Sequence, residues 1–291
     1  MDKELNFIKF LRVLFCFAVF TGHFFGIACA ADGVGSDFLL YLRHSILGRT
    51  PLAFLHDGSM SLCFFYVLSG FLISYKCFAN KTEKVYISGT NLIRKICCIA
   101  IPVIISIAIV FIFNCIINAF NFSGDVNFTE LRHDILKLIL CQGIPHYNYP
   151  MHFIYPLLIG YILSFSFLSL LKDNRVLRYC SYVVFFVWVL YHRELLPLFS
   201  IFMGMIFGEF YLFVLECKEK YSINNWPFLT FATVLAPISY HIDLRNSFLN
   251  YIELSICFSF ILVSGCSLKF NMHTKPKLVL DFLDLNNFCF I

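Results

Sequence analysis

Charge is scarce in this sequence. Asp, Glu, Lys and Arg make up 14% of its 291 residues, where soluble domains carry roughly 25%, so a water-facing globular surface is excluded. The net charge of +4 is small. No basic patch with interleaved aromatics occurs, which makes nucleic acid a poor partner. There is no glycine-rich phosphate loop, no HExxH and no GxSxG, so phosphate cradling, zinc peptidase chemistry and a serine elbow have no signature here. The 13 cysteines include no CxxC pair. They lie scattered, mostly in apolar runs, where free cysteine packs as a small hydrophobe, and neither a disulfide framework nor a metal site is expected.

What is present is apolar length. The chain is 59% hydrophobic, with a mean hydropathy of +0.78. Windows of about 20 apolar residues follow one another, the mark of an all-α, polytopic membrane bundle. Backbone groups in lipid must bond internally, and the long unbroken runs exclude a barrel. Spans are expected near residues 7–27, 60–77, 96–120, 151–171, 179–191, 195–215, 226–240 and 248–268, with a short interfacial piece at 38–46. Lys3 before an apolar run ending Ala28-Cys29-Ala30 has the outline of a signal peptide. The run is too long for one, and an uncleaved first span is expected.

Lysine and arginine gather in alternate connections: Lys76, Lys81, Lys84, Arg94 and Lys95 after the second span, and Lys172, Arg175 and Arg178 after the fourth. Lys218 and Lys220 follow the sixth span, and Lys269, Lys275 and Lys277 the eighth. Positive loops stay inside, so the even connections and the N-terminus are placed in the cytoplasm. Residues 278–291 make an apolar piece of only about 14 residues, short of a span. The expectation is one integral-membrane domain over 1–291, with about eight complete spans and a truncated ninth. Residues 121–150 read as a long polar outer loop, in which His133, Asp134 and His146 are expected to be solvated.

Two ionisable residues interrupt the first span, Arg12 and His23, eleven positions apart. At 3.6 residues per turn that is three turns with about 20° of drift, so they share a face roughly 16 Å apart along the axis. Ionisable groups inside a membrane are costly and mark function by default. In the second span, Ser69-Gly70 permits close helix contact, and packing rather than a serine nucleophile is expected there, since no adjacent base is in view.

In their order these features resemble the membrane acyltransferase-3 family. Arg12 and His23 fall on its R-x10-H pair, and Phe64-Phe65-Tyr66-Val67-Leu68-Ser69-Gly70-Phe71 on its FFxLSGF motif. Arg94 and Lys95, upstream of Pro102, are similar to its basic stretch, and Leu195-Leu196-Pro197-Leu198-Phe199 running to Phe202-Met203-Gly204-Met205 to its PFFxxGM segment. Departures are Ile96-Cys97-Cys98-Ile99 where a second spaced arginine is usual, and His152 where many members have a tryptophan. The family commonly has about ten spans, so the resemblance implies a chain lacking the last helices.

The resemblance implies an O-acyltransferase, above all an O-acetyltransferase, of the inner membrane. It would use cytoplasmic acyl-CoA (acetyl-CoA) as donor, no permanently bound cofactor, and a surface glycan such as lipopolysaccharide O-antigen or exopolysaccharide as acceptor. Arg12, Arg94 and Lys95 would hold the donor phosphates, and His23 would serve as general base. Phe64, Phe65, Ser69, Gly70 and Phe71 are assigned to the motif and its packing. The alternatives are a transporter or flippase of a polar glycan or lipid, for which internal repeats are not detected, and an inactive truncated relative.

Overall fold

The computed structural model describes residues 2–30, 58–79, 89–120, 126–140, 153–171, 173–192, 195–221 and 247–267. The expected pieces at 38–46, 226–240 and 278–291, together with His146, His152, Lys81, Lys84, Lys172, Lys269, Lys275 and Lys277, lie outside them. All regular structure among the described residues is helical: α1 (Asp2–Ala30), α2 (Gly58–Ala79), α3 (Gly89–Ala119), α4 (Phe128–Ile139), α5 (Ile154–Leu171), α6 (Arg175–Tyr191), α7 (Leu196–Tyr221) and α8 (Ser247–Ser267). Among the described residues, four stretches are long and apolar enough to cross a membrane: Met60–Ala79, Gly89–Ala119, Ile154–Leu171 and Leu196–Cys217. Tyr251–Cys266 is a shorter apolar helix.

The chain forms two compact units, Met1–Glu83 with Leu170–Asn287, and Lys84–Ser169 with Phe288–Ile291. The first is organised on α2 and α7. Their contacts advance about one turn at a time on both helices: Cys63 meets Ser200, Val67 meets Gly204, Phe71 meets Gly208, and Tyr75 meets Tyr211. The two helices are therefore parallel. They approach backbone to backbone because three positions carry no Cβ. A Cβ on Gly70 would strike the Ile201 carbonyl, and one on Gly204 the Val67 carbonyl. At Gly208 it would stand 2.7 Å from the Phe71 oxygen. Gly204 and Gly208 form the G-x-x-x-G spacing that lets apolar helices close up without a hydrophobic driving force.

A third parallel helix, α8, fits along this pair. Ser255 bonds Ser200 at 2.7 Å, Phe260 meets Phe207, and the Tyr211 hydroxyl donates to the Cys266 carbonyl at 3.2 Å. Against these three, α1 runs the other way. Its buried stripe is Ile8, Leu11, Phe15 and Ala18, the 3–4 spacing of one helical face. Phe15 stacks on Phe64 at 4.1 Å and meets the edge of Phe258, while the Phe7 ring lies over Gly265. Antiparallel to α7, α6 packs Phe185 on Phe202 at 4.0 Å and Phe186 on Phe199. These relative directions are the ones alternating spans require.

The second unit holds α3, α4 and most of α5. Pro102 lies inside α3, whose buried side is Ile99, Val103, Ile107 and Phe111. The expected polar loop at 121–150 instead contains α4. Asn127 caps it, its side-chain oxygen accepting from the Thr129 and Glu130 amides at 2.9 and 3.3 Å, and Phe128 docks edge-on to Phe111. Asp134 is buried rather than solvated, with the Lys137 ammonium 3.8 Å away. The reason lies in the register: Leu131, Asp134 and Leu138 share one face of the helix, and the charged neighbours that make the stretch look like a loop occupy the other. His133 is exposed, as expected.

The glycine contact has a direct test. Gly70→Ala and Gly204→Ala should each destabilise the detergent-solubilised protein by about 1–3 kcal/mol or more, as overpacking against rigid backbone does. Gly89→Ala, where an added methyl group meets nothing within 4 Å, should leave the thermal midpoint unchanged. Equal midpoints in the three variants would contradict the backbone approach.

Candidate active site

The site is built from α1 upward. Arg12 is half-buried, with its Nε shielded from solvent. A helical side chain leans toward its own N-terminus, so in antiparallel helices side chains near the paired ends lean toward one another. Lys76, in the last turn of α2, accordingly lies within electrostatic range of Arg12. Sequence reading had treated Lys76 as a loop cation. Arg12 is half-buried and Lys76 exposed, two like charges near one another where α1 and α2 meet.

His23 belongs to the same helix, which continues unbroken to Ala30, so its backbone sits about three turns beyond Arg12. Its side chain lies outside the described residues. Both positions fall roughly 80–100° round the helix from the centre of the buried stripe, at 100° per residue. They thus flank the seam that α1 makes with α2 and α8. Arg94, exposed, and Lys95, half-buried, lie on the early turns of α3 and belong to the second unit.

The FFxLSGF segment is a packing element. Phe64, Ser69 and Phe71 are buried, Phe65 is half-buried, and the Ser69 hydroxyl donates to the Phe65 carbonyl of its own helix at 2.8 Å. Gly70 is the residue that admits α7. Its counterpart Gly204 lies in the PFFxxGM-like segment, so two motifs far apart in sequence are the two halves of one contact.

Beside Phe64 lies a polar layer that sequence reading did not anticipate. Cys63, Ser200 and Ser255 are fully buried. The thiol sulfur is 3.4 Å from the Ser255 hydroxyl and 3.7 Å from that of Ser200, and Ser255 in turn donates to the Tyr251 carbonyl at 2.8 Å. The partners are hydroxyls and a carbonyl rather than a base, so the layer joins three helices and does not activate a nucleophile.

The strongest electrostatic feature was also missed. Arg178, expected in a connection, lies within α6 and is 3% exposed. Its Nε and an Nη donate to the two Glu209 carboxylate oxygens at 2.9 and 2.8 Å, and the other Nη donates to the Leu171 carbonyl at 3.0 Å. The Tyr182 and Tyr179 hydroxyls donate to the same carboxylate at 3.1 and 3.3 Å. The guanidinium also stands 4.5 Å over the Phe78 ring. The available signal was Glu209 itself, a carboxylate between Gly208 and Phe210 in an apolar run, which demands a cation.

The family model described as an acyltransferase domain matches residues 5–287. The chain belongs to the acyltransferase-3 family. No curated protein and no solved structure matches it. Its apolar helices and its family together make it a multi-pass membrane protein of the acyltransferase class.

Removing one partner of the buried ion pair should be costly. Glu209→Leu, which leaves Arg178 buried and uncompensated, should lower stability by about 3–5 kcal/mol. Adding Arg178→Met to it should restore most of that loss, read as the unfolding midpoint in detergent. A double variant no better than the single one would show that the pair does not act as a unit.

Proposed function

We propose that this acyltransferase moves an acyl group, above all acetyl, from cytoplasmic acyl-CoA to a hydroxyl of a cell-surface sugar, in the bacterial inner membrane. What supports the reading is the family's R-x10-H pair, Arg12 and His23, carried about three turns apart on one continuous helix, with Lys76 near Arg12 at one end. The phosphates of CoA neutralise the two cations. Arg12 contributes a planar, permanently charged fork and Lys76 a point charge. The pantetheine arm is long enough to follow the helix toward His23.

In the transfer step the His23 imidazole takes the proton of the acceptor hydroxyl as its oxygen attacks the thioester carbonyl. The carbon–sulfur bond of the resulting tetrahedral species breaks, and the CoA thiolate leaves with the proton that His23 returns. The products are an O-acyl sugar and free CoA. The family motif assigns Arg94 and Lys95 to the donor as well, and their role rests on that motif. The acceptor class rests on the same resemblance.

His23→Ala should abolish the O-acetyl signals of purified surface polysaccharide, read by NMR, at unchanged protein level. Signals retained in that variant would remove His23 from the mechanism. Arg12→Lys keeps the charge but loses the bidentate fork, and should raise the acyl-CoA concentration needed for half-maximal transfer about tenfold, the equivalent of one charge-assisted hydrogen bond. An unchanged donor dependence would take Arg12 out of the donor site.

A further inference from the structure

Where α2 ends and α6 begins, the first unit encloses a cavity of about 1110 Å³ against α7. It is larger than the roughly 300–1,000 Å³ of ordinary small-molecule sites. Its wall is aromatic, with Phe78, Phe207, Phe210, Phe213 and Phe260. Arg178 and Glu209 also face it, but they neutralise each other through a bidentate pair. Two further charges remain on its lining, Arg175 and Glu216. Both are exposed, and neither is ion-paired among the described residues. Exposed apolar side chains stand beside them, Val176 at 74% and Phe213 at 59%, so apolar and charged surface meet at the cavity.

We propose that this cavity seats one zwitterionic phospholipid, its phosphate at Arg175, its primary ammonium at Glu216 and an acyl chain along the phenylalanines. Charge complementarity selects the occupant. A purely anionic head group would satisfy Arg175 and be repelled by Glu216, and a cationic amphiphile would meet the reverse. A head group carrying both signs satisfies both. A primary ammonium donates hydrogen bonds to a carboxylate, which a quaternary ammonium cannot. The chain would gain from burial on aromatic surface that otherwise lies open.

The test uses the full chain, purified in detergent, stripped of lipid and incubated with equimolar dioleoyl phosphatidylethanolamine, phosphatidylcholine and phosphatidylglycerol. Native mass spectrometry then counts the bound species. The ethanolamine lipid should dominate the single-lipid adduct. Arg175→Gln and Glu216→Gln should each reduce that adduct about two- to fivefold, the range of an exposed ion pair. Glu216→Gln should in addition erase the discrimination against phosphatidylglycerol. Both residues are exposed, so the lipid-free thermal midpoint should not move. Equal adducts of the three lipids, or an ethanolamine preference that survives Glu216→Gln, would overturn the proposal. Preference for phosphatidylcholine would overturn the primary-ammonium contact.

Discussion

Backbone contact between α2 and α7 is the constraint on which the first unit rests. In lipid, helices gain little by hiding apolar surface from other apolar surface, so close packing has to supply the association. Gly70, Gly204 and Gly208 permit it by bringing each helix against the carbonyls of the other. The consequence for chain order is large. Parallel neighbours cannot be joined by a short turn, so the chain must cross back between Ala79 and Leu196. That excursion contains α3, α4, α5 and α6. The second compact unit is thus an insertion between two helices that must run the same way.

Close packing alone leaves register loosely specified, because glycine faces slide. Polar contacts at two depths remove that freedom. Cys63 and Ser255 converge on Ser200 near the start of α7, and Arg178 binds Glu209 nine positions later on the same helix. The separation is about 13 Å at 1.5 Å per residue. A buried ion pair is weak evidence for net stability, since desolvation offsets much of its attraction. Here five hydrogen bonds satisfy it, and its partners come from α6, α7 and the end of α5. Its evident effect is to fix one arrangement of those elements.

Apolar runs made most of the described helices legible. The expected 60–77 became Gly58–Ala79, and 151–171 became Ile154–Leu171. Errors arose where polarity and helix conformation part company. The third span was expected to begin at 96, but α3 starts at Gly89, because a helix continues past the hydrocarbon into its basic turn, where Arg94 and Lys95 sit. The helix α4 reads as loop for the same reason, because Glu130, Arg132, His133, Asp134 and Lys137 interrupt its apolar residues. Arg178 was assigned to a connection on its charge alone. The Arg12–His23 spacing was readable because 3.6 residues per turn governs it locally. Lys76 beside Arg12, and Gly204 against Val67, depend on which helices meet, which one sequence does not encode in any local pattern.

The helix bearing Arg12 and His23 is attached differently from the rest. The contacts described for it are made by its aromatic side chains. It is held by rings, with Phe15 between Phe64 and Phe258 and Phe7 over Gly265. Aromatic contacts of this kind fix position through shape and edge-to-face preference, at roughly 0.5–1.5 kcal/mol per pair beyond burial. Phe15 lies three residues from Arg12, so the ring stack sets the turn from which that guanidinium departs. A platform locked by backbone contact carrying a helix seated by side chains gives Arg12 a defined place. It also leaves the seam beside Arg12 lined by aromatic side chains that can shift between rotamers. The rigidity lies where register matters, and the adjustable contacts lie along the face where α1 presents Arg12.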